Sequence, residues 1–332
     1  MTGGALSITT RQPRLTGEQL LGQLTPPRQF AEASLDNYRP DPDYPSQAAA
    51  VEAVRAFASG AGGKGGLFRR AAPAKPGIYL DGGFGVGKTH LLASLWHMTK
   101  GRKYFGTFIE YTALVGALGF QHAVDLLRGT KLLCIDEFEL DDPGDTRLMN
   151  RVLGELAETG TRIAATSNTP PQALGEGRFA AQDFLREIDA LASRFDTLRI
   201  DGLDFRRRDV AEHALVTPDV AGEVAKSSGV ATVDAFPVVL DHLSRIHPAN
   251  YVAVVEGLST IGITDVVEFE NQTDALRFVA FVDRLYDARV RVVASGTPLD
   301  AVFPEEMLNG GYRKKYLRAV SRLVSLTSLP AA

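Results

Sequence analysis

Residues 77–92 read GIYLDGGFGVGKTHLL. A short apolar run enters Gly82-Gly83-Phe84-Gly85-Val86-Gly87-Lys88-Thr89, a complete G-x-x-x-x-G-K-T loop, and His90-Leu91-Leu92 continues as a helical pattern. Strand, loop and helix in that order describe a phosphate-binding loop rather than a mere glycine-rich turn. Glycines let backbone N–H groups close on phosphate oxygens with no Cβ in the way. The start of the helix adds a favourable dipole. Gly82, Gly83, Phe84, Gly85, Val86, Gly87, Lys88, Thr89 and His90 are therefore the candidate nucleotide-binding residues. Lys88 is placed to reach the β/γ-phosphates, and the Thr89 hydroxyl to ligate Mg²⁺.

Outward from this loop, short apolar runs alternate with helical patterns: a helix over 88–99, FGTFIEY, a helix near 121–128, KLLCIDEF, a helix over 144–158 and RIAATSN. Strands apolar on both faces, separated by helices, predict an α/β fold with a parallel sheet flanked by helices. Three sections follow: an N-terminal segment over 1–76 with a helix at 46–59 and a flexible Gly/Ala/Pro loop, a core over 77–222, and a C-terminal α+β section over 223–332. The last carries a helix over 273–288, the strand VRVVASG and a final helix YRKKYLRAVSRLVSL. One echo runs inside the chain. RVLGELAETGTRIAATSNTPP and RFVAFVDRLYDARVRVVASGTPL both read helix, turn, strand and Thr-Pro. Helix–strand units of one sheet look alike in this way; a duplication is the sharper alternative, with the Asn missing from the second copy.

The chemistry-bearing residues sit at strand ends. Leu132-Leu-Cys-Ile-Asp136-Glu137 is an apolar strand closing on two acids. Asp136 is placed to hold Mg²⁺ and Glu137 to polarise an attacking water as general base. Asn168 closes the run Arg162-Ile-Ala-Ala-Thr-Ser-Asn168, where ligands of a parallel sheet bind, and is placed to touch the γ-phosphate or the water; a turn residue before Thr-Pro-Pro is the plainer reading. The guanine-reading Asn-Lys-x-Asp motif is absent, which favours ATP over GTP. The order of loop, strand acids and strand Asn is the AAA+ layout. In that layout Arg194, in Ala192-Ser-Arg-Phe195, is a candidate arginine finger for a neighbouring subunit. Arg318 and Arg322 are candidates for a lid arginine or for surface charge. Cys134 reads as a small buried hydrophobe, and Phe138 as core or partner contact.

Composition narrows the rest. The chain has 332 residues, 36 Lys+Arg, 40 Asp+Glu, a formal charge of −4 and one Cys. That length predicts two or three domains. One Cys forms no intrachain disulfide and no Cys-based zinc site, so a reducing cytoplasm is the expected compartment. The acidic balance argues against coating nucleic acid by charge alone. The first twenty residues hold no apolar run of signal-peptide length, and no stretch has the span of a membrane helix, so membrane association is peripheral at most.

With these residues in view, the chain resembles the ZapE/AFG-like family of AAA+ P-loop ATPases, in its actinobacterial branch. The resemblance is carried by NYRPDPDYPSQ (37–47), GGFGVGKTHLL (82–92), LLCIDEFELDD (132–142), ATSNTPP (165–171), FLREIDAL (184–191) and DGLDFR (201–206). FVDRLYDARVRVVASGTPL and YLRAVSRL extend it towards the C-terminus, and Asp204-Phe205-Arg206 adds a further arginine candidate. The resemblance implies a Mg²⁺-dependent ATP hydrolase that forms a homo-oligomer and regulates or remodels a protein client. Bacterial members are associated with the division ring and its tubulin-like protein, and mitochondrial relatives with inner-membrane protein quality control. It also implies that NYRPDPDYP lies near the adenine, with Tyr38 or Tyr44 as a stacking face. Where many members show Phe-His-x-Phe-Met, this chain has YFGTFIEY, so any role of that His does not carry over. The alternative is a nucleic-acid-associated ATPase of the replication-initiator or helicase-loader type. That reading calls for an appended basic recognition helix, and the sequence shows none.

Overall fold

The apolar runs around the phosphate loop pair side by side because each is apolar on both faces and has a helix to cover each face. The computed structural model describes residues 6–13, 16–60, 75–83, 85–139, 143–174, 185–202 and 213–331. The chain divides into two compact units, residues 16–208 and residues 209–332 with 1–15. The first contains α1 (Gly17–Gln23), α2 (Pro45–Ala58), β1 (Gly77–Gly82), α3 (Lys88–Met98), β2 (Lys103–Thr107), α4 (Phe108–Leu118), α5 (Phe120–Leu127), β3 (Leu132–Asp136), α6 (Pro143–Glu158), β4 (Arg162–Ser167), α7 (Leu185–Ala192) and β5 (Phe195–Ile200). Its five strands are all parallel in the order β2-β3-β4-β1-β5. This is a P-loop NTPase sheet of the AAA+ type. Strand β4 lies between the strand that carries the phosphate loop and the strand that ends in the acid pair.

Two layers hold the sheet. On one face Ile78, Leu80, Phe105, Cys134 and Ala164 pack with Leu91, Leu92 and Leu95 of α3 and Val54 of α2. Tyr79, Phe108, Phe138 and Phe195 make an edge-to-face aromatic cluster with ring centroids 5.2–6.1 Å apart. Phe138 is fully buried in it and serves the core. The predicted strand FGTFIEY stops early. Thr107 and Glu110 form a reciprocal capping box, with the Thr107 N–H donating to Glu110 Oε2 at 2.6 Å and the Glu110 N–H to Thr107 Oγ1 at 3.3 Å. The chain therefore turns into α4 at Phe108, and FIEY is helical.

The second unit contains α8 (Val220–Val224), β6 (Val230–Ala235), α9 (Phe236–Ser244), α10 (Tyr251–Val255), β7 (Leu258–Val266), α11 (Gln272–Ala288), β8 (Arg291–Gly296), α12 (Glu305–Asn309) and α13 (Arg313–Thr327). Its strands form a parallel sheet in the order β6-β7-β8. Residues 213–217, placed in the core section by the sequence reading, belong here. Val216 bridges to Ala294, the Thr217 N–H donates to the Ala294 carbonyl at 2.8 Å, and the Leu215 N–H donates to Thr327 Oγ1 at 3.1 Å. The junction of the units thus lies ahead of residue 213 rather than at 222/223.

The internal echo runs further than the sequence suggests, and its two halves lie in different sheets rather than in one. β6-β7-β8 repeats β2-β3-β4 in strand order and direction. At one constant offset along the chain, Phe108 and Phe236 open the helix after the first strand. Pro171 and Leu299 open the short 3-10 turn after the third, and Leu185 and Arg313 open α7 and α13. Glu137 and Asp265, at the same offset, are both non-glycine residues in the left-handed region, with φ of 53° and 55°.

Candidate nucleotide site

The strand order brings the site together. β1, β4 and β3 are neighbours, and their carboxyl ends deliver Lys88 (one loop beyond β1), Asn168 and the Asp136-Glu137 pair. Lys88 Nζ donates to the carbonyls of Gly82 at 2.8 Å and Gly83 at 2.5 Å, and to Asn168 Oδ1 at 2.9 Å. Thr89 Oγ1 donates to both carboxylate oxygens of Asp136, at 3.2 and 3.0 Å. The adjacent Lys88 and Thr89 are thus joined by direct hydrogen bonds to Asn168 and Asp136, 80 and 47 residues further along.

The loop itself is shaped by what surrounds it. Gly87 has φ 84°, and a Cβ there would stand 2.4 Å from the Tyr38 ring, so both conformation and space demand glycine. A Cβ at Gly82 would meet the Ile200 carbonyl at 2.3 Å. Tyr38 Oη donates to the Val86 carbonyl at 2.7 Å, and burial pushes the Tyr38 phenol up to about 12. His90 Nε2 lies 2.9 Å from the Ser34 carbonyl, and its ring packs beside Tyr38 at 5.6 Å. The imidazole of His90 is therefore bonded to the preceding segment. Tyr38 packs on the loop backbone, while Tyr44 stands at the start of α2. Gln47, 2% exposed, ties this segment down, accepting from the Asp41 N–H at 2.8 Å and donating to the Asp201 carbonyl at 2.9 Å. Phe84, Arg206 and the 61–74 stretch lie outside the described residues.

The acid pair is held by a residue the sequence reading passed over. Thr166 Oγ1 donates to Asp136 Oδ1 and accepts from the Glu137 N–H at 3.2 Å, and the Phe138 N–H donates to the Thr166 carbonyl at 2.7 Å. Two successive N–H groups aimed at one residue impose the left-handed turn at Glu137, a conformation that costs about 1–2 kcal/mol outside glycine. Asp136 is 7% exposed. Burial above all, then the charge of Glu137, raises its carboxyl above the ordinary value, against the Thr166 and Thr89 hydroxyls and the Lys88 ammonium. Glu139 is a second missed carboxylate, buried at 7% exposure and bonded to Ser167 and Asn168. The spacing Asp136-Glu137-x-Glu139 was its only signal in the sequence.

The arginines separate clearly. Arg194 lies at the amino end of β5, where its carbonyl accepts from the Gly77 N–H, and its Nη2 donates to Asn150 Oδ1 at 3.3 Å. That is the end of the sheet opposite the phosphate loop. Arg318 and Arg322 are not exposed lid residues. They are 5% and 11% exposed at the side chain and share Asp283 in the interior of the second unit, Arg318 Nη2 at 2.8 Å from it. Burial pushes the Asp283 carboxyl up, but these guanidinium groups outweigh it and hold it below the ordinary value.

Sheet order, loop and acids agree with the comparison to known families: the AFG1-like ATPase family matches residues 15–228 and 217–330. The chain belongs to the AFG1-like ATPase family. It is similar to the cell division protein ZapE of Escherichia coli K12, at 26% identity with 76% of this chain and 78% of that protein covered. It is also similar to lactation elevated protein 1 homolog B of Danio rerio, at 23% identity with 70% of this chain and 58% of that protein covered. Among solved structures, domain III of the Thermotoga maritima replication initiation protein DnaA shares 20% identity at a TM-score of 0.41, covering 59% of this chain and 80% of that one. A score that low bears on neither mechanism nor partner. Among the described residues no helix of this family member is long and apolar enough to cross a membrane.

Proposed function

We propose that this chain is a Mg²⁺-dependent ATPase that hydrolyses ATP to ADP and phosphate and uses the cycle to regulate or remodel a protein partner. The observation that carries the reading is the convergence of Lys88, Thr89, Asp136, Glu137 and Asn168 at the carboxyl ends of three adjacent strands. Loop backbone and Lys88 bind the phosphates. The Lys88 ammonium, now on two carbonyls and the Asn168 amide, exchanges these dipoles for phosphate oxygens. The Thr89 hydroxyl and the Asp136 carboxylate are hard oxygen donors about one hydrogen bond apart, a set that suits Mg²⁺. A buried acid whose charge is disfavoured gains from a cation beside it. Bound there, Mg²⁺ would neutralise charge on the phosphate oxygens. Glu137, fixed by its left-handed backbone, polarises the attacking water, a role worth about 10²–10⁴-fold. Asn168 contacts the γ-phosphate or that water.

Arg194 stands at the wrong end of its own sheet to reach this loop, which supports a role in the site of a neighbouring copy in a homo-oligomer. The likeness to a cell division protein supports a client in cytoplasmic division, such as the tubulin-like protein of the division ring, rather than nucleic acid. The test is hydrolysis by mixed variants. Arg194→Ala and Glu137→Gln are each slow alone, and the mixture recovers activity because an intact base then meets an intact arginine. Wild-type specific activity rises with protein concentration. Equal activity at all concentrations, with no gain on mixing, would rule out the shared site.

A further inference from the structure

We propose that Glu139 is a positioning residue for hydrolysis, whose buried carboxylate holds the end of β4 so that Asn168 faces Lys88. The inference rests on the role of Asn168 given above. Glu139 Oε1 accepts from the Ser167 hydroxyl at 2.9 Å and from the Asn168 N–H at 3.3 Å. Ser167 is 1% exposed, and its Oγ in turn accepts from the Thr169 N–H at 3.0 Å. The turn that leaves β4 is therefore organised around one carboxylate. Beyond the turn, Asn168 Oδ1 accepts from Lys88 Nζ at 2.9 Å. A continuous series of polar contacts runs from Glu139 through the Asn168 backbone to its side chain and on to the phosphate-binding lysine.

The same tie reaches the general base. Three successive residues after β3 fasten to three successive residues at the end of β4. Glu137 and Phe138 use their N–H groups on Thr166, and Glu139 uses its side chain on Ser167 and Asn168. Base and Asn are thereby fixed as one body. Placing a carboxylate in the interior is unfavourable unless hydrogen bonds offset it, and a neutral acceptor would satisfy a plain turn at lower cost. Hydrogen bonds to a charged acceptor are shorter and stiffer. Stiffness at this point sets the distance between the Asn168 amide and the reacting phosphate, and small misplacements there are expensive in rate.

The experiment uses the full chain and compares kcat with the dissociation constant of a fluorescent ATP analogue. Glu139→Ala lowers kcat by roughly 10- to 100-fold, the usual loss for a supporting partner, while the dissociation constant stays within about threefold, less than half the free energy of a tenfold change. The double variant with Asn168→Ala is no slower than Asn168→Ala alone, because both act through one amide. Glu139→Gln keeps an acceptor at the same reach but gives up the charge, so its kcat lies between those of wild type and Glu139→Ala. Glu139→Asp withdraws the carboxylate by one methylene and is slower than Gln. That order also decides the matter if the alanine variant fails to fold. Multiplicative losses in the double variant, or an Asp variant faster than Gln, would overturn the positioning role. Asn168→Ala at the wild-type rate would overturn this inference together with the role of Asn168. Asn168→Ala slow beside a wild-type-like Glu139→Ala would overturn this inference alone.

Discussion

Replacing Asp136 with Asn should stabilise the nucleotide-free protein and yet abolish its stabilisation by Mg²⁺-ATP. The carboxylate is 7% exposed and sits beside Glu137. Its partners Thr89 and Thr166 are hydroxyls, which can donate to or accept from an amide equally well. The substitution therefore removes a buried charge and keeps the hydrogen bonds. Relief of such a site is worth about 0.5–2 kcal/mol, or roughly 1–8 °C for a domain of this size. The pH dependence has a definite sign. A carboxyl raised in the folded state holds its proton more tightly than in the unfolded chain, so wild-type stability falls as pH rises from the ordinary carboxylate value through the raised one. The advantage of the variant is full above the raised value and fades as the pH drops towards 4. With ligand at about 100 times its dissociation constant, wild type gains about 2.7 kcal/mol by linkage and the variant little. The order of the two melting temperatures thus reverses on adding Mg²⁺-ATP. Differential scanning fluorimetry in both conditions reads this directly. An Asn variant that melts below wild type without nucleotide would refute the reasoning.

Two further substitutions test other parts of the account. Gly87→Ala adds about 1–2 kcal/mol of left-handed strain and drives a Cβ towards Tyr38. ATP affinity should fall at least about tenfold by equilibrium titration, and a Tyr38→Ala background should restore only part of it, because the strain at φ 84° remains. Asp283→Asn deprives two buried guanidinium groups of their shared carboxylate. Loss of one partner of a buried ion pair costs about 3–5 kcal/mol, so urea unfolding should show a destabilised transition. The depressed carboxyl adds stability that is present above the ordinary acid pKa and lost as pH falls below it, so wild type should approach the variant in strong acid.

The candidate nucleotide site was legible because it is written in local runs: Gly82–Thr89 between a strand and a helix, Asp136-Glu137 and Asn168 at strand ends. The strand order was not. Nothing local says that β4 inserts between β1 and β3, and that insertion brings Asn168 to Lys88. Thr166 and Glu139 escaped for the same reason, since their partners lie across the sheet. The early end of β2 was readable in principle, because Thr107-Phe-Ile-Glu110 carries the spacing of a capping box, but the apolar run FGTFIEY outweighed it. The arginines on α13 misled, since an amphipathic basic helix looks solvated until Asp283 is seen beneath it. The repeat of β2-β3-β4 as β6-β7-β8 keeps spacing rather than residue identity, so only its last helix–strand unit could be noticed.

The central claim is that Glu137 activates water in a site that otherwise binds ATP without it. Steady-state hydrolysis and ATP binding of wild type and Glu137→Gln test that claim most directly. The account predicts a variant that binds ATP with wild-type affinity and loses at least about 10²-fold in turnover. A Glu137→Gln protein that hydrolyses ATP at the wild-type rate would contradict it.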